Sequence, residues 1–258
     1  MTRKSVDLDT TRELLERLGL LHVTPHLSDL LETGAREKQS PHDVLHQVLK
    51  TEAEAREERR IRTSLKLSGL PPGKTLDGFD FSFQPGIDRQ RVQLLETCEY
   101  IRKQENILFL GPPGVGKSHL ATALGVKAVS NGFSVAFLTL DELIYLLKWD
   151  QEVRSSRLKR KKYMKAALLI IDEVGFTPLD RRESNLFFRL ISNRYERVST
   201  IITSNQGIGD WPGIFADDET ITAAILDRLL HHAHVLNVKG QSYRMKDFAQ
   251  LHISARAG

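Results

Sequence analysis

The chain has 258 residues, 40% of them hydrophobic and 27% charged, with a formal net charge of +4. That suffices for one core of ordinary size and a small second module. A mean hydropathy of -0.30 and the lack of an apolar run of about 18 residues speak against a membrane-spanning helix. Cys98 is the single cysteine, which excludes an internal disulfide. With no apolar signal stretch in MTRKSVDLDTTRELL, a reducing, cytoplasmic location is the expectation.

Residues 1–66 read as a small all-α domain. Asp9 or Thr10 stands where a helix cap belongs, ahead of Leu14, Leu15, Leu18, Leu20 and Leu21. Pro25 interrupts that pattern, and Leu27, Leu30 and Leu31 form a second apolar set. Ser40-Pro41 reads as a cap followed by proline at the first helical position, ahead of Val44, Leu45, Val48 and Leu49. The run TEAEAREERRIR carries both signs at three- and four-residue spacing and suits an exposed helix. SGLPPGKTLDGFDFSF is aperiodic and rich in glycine and proline. It reads as a linker, so the second domain is expected over residues 67–258.

Beyond it the rhythm changes. The β-type runs ILFL, VAFLTL, ALLIID and TIITSN alternate with helical patterns starting at Ser118, at Asp141 and near Ser184–Arg197. Such alternation predicts parallel strands joined by crossover helices, an α/β sandwich. Near-continuous apolar strands fit a sheet covered on both faces. Thr139 and Glu142 have capping-box spacing at one strand-to-helix boundary.

Gly111-Pro112-Pro113-Gly114-Val115-Gly116-Lys117-Ser118 matches the phosphate-loop pattern G-x-x-x-x-G-K-[ST]. Glycines let the backbone curl until successive N–H groups face phosphate oxygens. The helix that begins near Gly116 and Lys117, with His119 in its first turn, adds its positive end. In this role Lys117 reaches the β- and γ-phosphates of ATP, and the Ser118 hydroxyl binds Mg²⁺. The strand before the motif and the helix after it argue against a chance glycine turn.

Leu168–Glu173 is an apolar strand ending in two carboxylates. Asp172 thereby reaches the carboxyl edge of the sheet, where ligands of open α/β folds bind. There it holds Mg²⁺ directly or through water, and Glu173 polarises the water that attacks the γ-phosphate. The plain alternative is a polar strand end feeding a turn. Asn205, at the tip of TIITSN, is placed to hydrogen-bond the attacking water or the γ-phosphate, although Asn-Gln-Gly is also a turn sequence.

Farther on stands Ala224-Ile-Leu-Asp227-Arg228-Leu-Leu. The phosphate loop, Asp-Glu strand, Ser-Asn strand tip and Asp-Arg-Leu helix, in this order and spacing, resemble AAA+ ATPases of the helicase-loader branch. WPGIF…AAILDRLLHHAHVLNVKGQSYRMK and LDGFDFSFQPGID are similar, more specifically, to the IstB-like proteins. These are ATP-dependent helpers encoded with the transposases of bacterial insertion sequences. The resemblance covers nearly the whole chain. It implies a P-loop AAA+ three-layer sandwich that lacks a full C-terminal lid domain, because the stretch after Arg228 is too short for one. It also implies homo-oligomers assembled through AAA+ interfaces, binding of double-stranded DNA largely irrespective of sequence, and a partner transposase. Arg228 matches the arginine that a neighbouring subunit inserts at the γ-phosphate, a guanidinium that neutralises transition-state charge. Its plain alternative is a helix-surface ion pair. A replicative helicase loader is the alternative function, and a nucleotide-gated binding module that rarely hydrolyses ATP is a third.

Arg154 to Lys165 reads RSSRLKRKKYMK, seven basic residues and no acidic one, with Trp149 and Tyr163 nearby. It suits contact with a phosphate backbone, against the alternative of a solvated face. Arg56 to Arg62 is balanced by glutamates and is the weaker candidate. His231, His232 and His234 fit no standard zinc spacing, so no metal is expected there. Phe79 and Phe81 stand either as packing for adenine or as core anchors.

Overall fold

The computed structural model describes residues 7–152 and 161–245. The chain divides into two compact units, one ending at Thr63 and the other beginning at Ser64.

The first unit is helical, with α1 (Leu8–Arg17), α2 (Leu27–Arg36) and most of α3 (Pro41–Ser68). Asp7, rather than Asp9 or Thr10, occupies the N-cap position of α1. Pro25 lies in a 3-10 turn, Thr24–His26, where its missing N–H interrupts no helix ladder. Ser40 and Asp43 cap α3 reciprocally: Asp43 N–H donates to Ser40 Oγ at 3.2 Å, and Ser40 N–H donates to the Asp43 carboxylate at 3.3 Å. The core here is small, centred on Val23, Leu27 and Val48. The buried Glu52 carboxylate braces it, accepting from the N–H groups of His22 and Val23 at 2.7 and 3.0 Å and from Arg56 at 2.7 Å. Burial pushes that carboxyl up, but the hydrogen bonds from Val23, Arg56 and His22 outweigh it and hold it below the usual value.

The second unit opens with the last residues of α3, to Ser68, and continues into the irregular segment that the glycines and prolines predict. Two short helices follow, α4 (Arg89–Glu96) and α5 (Glu99–Arg102). Neither has enough turns to display a period in sequence. Then come β1 (Asn106–Leu110), α6 (Lys117–Ser130), β2 (Val135–Thr139), α7 (Leu140–Glu152), α8 (Lys161–Lys165), β3 (Leu168–Val174), α9 (Arg181–Arg194), β4 (Ser199–Ser204), α10 (Glu219–Leu230) and β5 (Ala233–Asn237). The Thr139 and Glu142 capping box forms, at 2.9 and 3.3 Å. The helix expected near Ser184–Arg197 starts three residues earlier, because Asp180 and Glu183 make a capping box of their own.

The five strands are all parallel, in the order β2-β3-β4-β1-β5. The crossover helices cover both faces of the sheet. Leu108, Leu110, Leu169, Ile171 and Ile202 pack with Leu143 of α7, Phe187 of α9 and Ile225 of α10. Helix α6 lies on the alternate strand residues. A Cβ at its Gly125 would come within 2.7 Å of both Ile170 and Leu70, so glycine is what lets this helix approach so closely. The α/β sandwich expected from the rhythm, and the three layers that the resemblance implies, are thus the fold. Among the described residues, no helix is long and apolar enough to cross a membrane.

Candidate active site

All five strands point their carboxyl ends to one edge, and the loop between β1 and α6 lies there. Gly111, Gly114 and Gly116 have φ of 146°, 81° and 99°, a region that side chains disfavour. The space is closed as well. A Cβ at Gly111 would lie 2.1 Å from the Val238 carbonyl oxygen, and one at Gly114 would lie 2.0 Å from Ser242 Oγ. The chain after β5 therefore runs directly against the loop. Tyr243 N–H donates to the Gly114 carbonyl at 2.9 Å, and Gln84 Nε2 donates to the Gln241 carbonyl at 2.7 Å. Nothing in the local pattern of the C-terminal segment announces that contact.

Pro112 and Pro113 are exposed at the loop's outer turn, and Val115 is buried. A cavity of about 310 Å³ opens beside the loop, lined by Lys74, Phe79, Asp80, Gly116, His119 and Tyr243 among others. Phe79 packs against Gly116 and meets the His119 ring edge-on, with centroids 5.3 Å apart. His119 Nε2 lies 2.7 Å from the Thr75 carbonyl oxygen. Phe79 thus sits at the cavity wall, whereas Phe81 meets Phe79 edge to face with centroids 4.8 Å apart and lies under the Arg89 guanidinium.

Lys117 is 8% exposed, and its Nζ donates to the Gly111 and Pro112 carbonyls at 2.7 Å each. The ammonium is thereby folded over the loop that the glycines shape. Ser118 Oγ donates to Asp172 Oδ1 at 2.8 Å. Asp172 is 6% exposed and is delivered by a bulge in β3. Ile171 pairs with Ile202 and Val174 with Ser204, so Asp172 and Glu173 together oppose Thr203 alone. Glu173 adopts φ of 64°. The left-handed residue turns the two neighbouring carboxylates apart, Asp172 buried and Glu173 exposed. Thr203 Oγ1 donates to Asp172 Oδ1 and accepts from Glu173 N–H at 3.1 Å.

Asn205 follows directly on β4, and its Oδ1 is buried with no hydrogen-bond partner among the described residues. It lies against Gly175, where a Cβ would be 2.9 Å from that oxygen. Ser118, Asp172, Glu173 and Asn205 thus come together at one edge of the sheet.

Arg228 does not join them. It donates to the Ala224 carbonyl at 2.8 Å, and its guanidinium lies 5.0 Å from the Phe188 ring centroid. The adjacent Leu229 carbonyl accepts from Asn106 Nδ2 at 3.1 Å, which fixes this end of α10 at the start of β1. The five residues of β1 then separate it from the phosphate loop by about 16 Å.

Ser118 Oγ and the Asp172 carboxylate are adjacent hard oxygen donors, the set that Mg²⁺ accepts while leaving other positions to water and phosphate. The structure also assembles Glu196, His231 and His232 at the surface, a set of possible metal ligands that the histidine spacing alone did not reveal. His231 Nδ1 is engaged there by Tyr195 OH at 2.7 Å and lies 3.4 Å from the Glu196 carboxylate. His234 bonds Glu105 instead, at 2.9 Å. Of the basic stretch, residues 154–160 lie outside the described residues. Its Tyr163 is buried and donates to Asp150 at 2.5 Å, a packing role, whereas Trp149 is half-exposed.

Comparison with known proteins agrees with this geometry. Residues 13–250 match the family model described as IstB-like ATP binding protein. The chain is 48% identical to an insertion sequence IS21 ATP-binding protein of Pseudomonas aeruginosa, over 91% of this chain and 88% of the relative. It is 39% identical to an insertion sequence IS5376 ATP-binding protein of Geobacillus stearothermophilus, over 91% of this chain and 93% of the relative. Among solved structures, the DnaC helicase loader superposes with a TM-score of 0.53 at 23% identity, covering 64% of this chain and 97% of that one. AMPPCP-bound DnaA from Aquifex aeolicus gives 0.52 at 20% identity, covering 72% of this chain and 56% of that one. At such identities the two structures speak for the P-loop AAA+ fold alone. The phosphate loop, the sheet order and the sequence match over nearly the whole chain agree: this chain belongs to the IstB-like ATP binding protein family.

Proposed function

We propose that the protein is an ATP-dependent transposition helper. It assembles on double-stranded DNA through AAA+ interfaces, engages a partner transposase, and hydrolyses ATP to end the assembly. The observation that carries the ATPase reading is the cluster at the strand ends, with Asp172 bonded to Ser118 and the adjacent Glu173 turned outward. In this reading the loop from Gly111 to His119 cradles the phosphates, and Lys117 leaves the Gly111 and Pro112 carbonyls for the β- and γ-oxygens. Ser118 and Asp172 hold Mg²⁺, which neutralises phosphate charge. Glu173 takes a proton from the attacking water, and Asn205 Nδ2 orients that water or the γ-phosphate. Arg228, too distant to act within its own subunit, serves the site of a neighbour.

The transposition context is supported by relatives named for insertion sequences at 48% and 39% identity. The likeness to a helicase loader, at 23% identity, lends no support to helicase loading beyond the shared fold. For DNA, affinity is expected to fall steeply with salt and to vary little with sequence, because basic side chains contact phosphates. Turnover of ATP with and without duplex DNA, followed by DNA retention across a salt series, tests the reading. A Glu173→Gln variant should bind ATP and stay on DNA without turnover. Salt-insensitive, sequence-specific binding or an unchanged turnover rate in that variant would refute it.

A further inference from the structure

Thr203 lies in the middle of this cluster, and neither the phosphate loop nor the strand-end motifs account for it. It is 1% exposed and occupies the single position opposite the two-residue bulge of β3. One oxygen does two things there. As donor it binds Asp172 Oδ1, the same oxygen that Ser118 addresses at 2.8 Å. As acceptor it takes the Glu173 N–H at 3.1 Å, an amide that the bulge has removed from the ladder to β4. Two residues further along the same strand end stands Asn205, whose buried Oδ1 has no partner among the described residues.

We infer that Thr203 is the positioning residue of this site, its hydroxyl fixing the orientation of Asp172 and the left-handed backbone of Glu173 together. The inference rests on the ATPase reading above and adds a residue to it. A Ser118 hydroxyl that offers a lone pair to a cation keeps its hydrogen for Asp172. The Thr203 bond is the second donor on the same carboxylate oxygen and holds it from the β4 side. Without the hydroxyl, Asp172 loses that donor and the Glu173 amide loses its acceptor. The exposed carboxylate of Glu173 then has no fixed backbone from which to reach the water. A main-chain position that side chains disfavour needs such an anchor.

Two substitutions separate the hydroxyl from the packing. Thr203→Val keeps the volume and deletes the hydroxyl, while Thr203→Ser keeps the hydroxyl and deletes a methyl. Thr203→Val should lower kcat about 10- to 100-fold, the loss of a hydrogen bond to a charged group. It should also raise the Mg²⁺ concentration needed for half-maximal turnover, with the affinity for metal-free ATP within about two-fold of wild type. Thr203→Ser should restore both quantities. Wild-type kcat and Mg²⁺ dependence in Thr203→Val would overturn the inference. So would a Thr203→Ser protein as impaired as Thr203→Val, since the defect would then lie in packing. If the wild-type protein itself does not turn over ATP, the ATPase reading fails separately. The inference is then read from binding: the gain in ATP affinity on adding Mg²⁺ should vanish in Thr203→Val and persist in Thr203→Ser, and equal gains in both would overturn it.

Discussion

Arg228 offers the sharpest test of how the site is completed. Its end of α10 is tied to the start of β1 through Leu229 and Asn106. The strand between spans about 16 Å, more than twice the reach of an arginine side chain, so the guanidinium serves the site of a neighbour or none. Arg228→Ala alone should lose about three to five orders of magnitude in turnover. Glu173→Gln alone should lose turnover while still binding ATP. Mixed in equal amounts before assembly, the two inactive proteins should recover activity. A working site then needs an intact Glu173 from one subunit and an intact Arg228 from the next. With random mixing in a head-to-tail arrangement, about one quarter of the sites meet both conditions. The assay is steady-state phosphate release as a function of mixing ratio, with a maximum at equal amounts. A mixture as inactive as its components would refute the transfer of Arg228 between subunits. Full activity of Arg228→Ala by itself would refute any role.

Two further outcomes follow from the geometry. Gly114→Ala places a Cβ 2.0 Å from Ser242 Oγ at φ of 81°. It should abolish ATP binding and cost about 1–3 kcal/mol of stability, read by thermal unfolding and nucleotide titration; unchanged affinity would show the loop to be more pliable than its contacts indicate. In the first unit, Glu52→Ala strips the acceptor from two backbone N–H groups and should cost about 2–4 kcal/mol. Because the Glu52 pKa is held below its ordinary value of 4.5, its contribution is full above that pH and is lost as pH falls through the lower folded value. Acid titration of helical content in wild type and variant measures this, and identical acid midpoints would contradict it.

Much of the candidate site was legible in sequence because its parts are local. A phosphate loop is a run of consecutive residues whose glycines answer to backbone angles at their own positions. Asp172 and Glu173 could be placed because an apolar strand announces its own end. The alternation of β-type and helical runs likewise determined the α/β class, since each element displays its period within a few residues. Helices α4 and α5 and edge strand β5 escaped because they are short and, in β5, only partly buried.

The tertiary structure decided which distant residues meet. Thr203 reaches Asp172 across 31 residues of sequence, through a bulge that no single strand encodes. Gln84 and Gln241 meet across 157 residues, and Val238, Ser242 and Tyr243 lie against the phosphate loop. Arg228, which follows the strand-end motifs in chain order, lies at the other end of β1. Spacing along the chain records which chemical groups are present, while the parallel sheet, by gathering strand ends at one edge and helix ends at the other, decides which of them share a site.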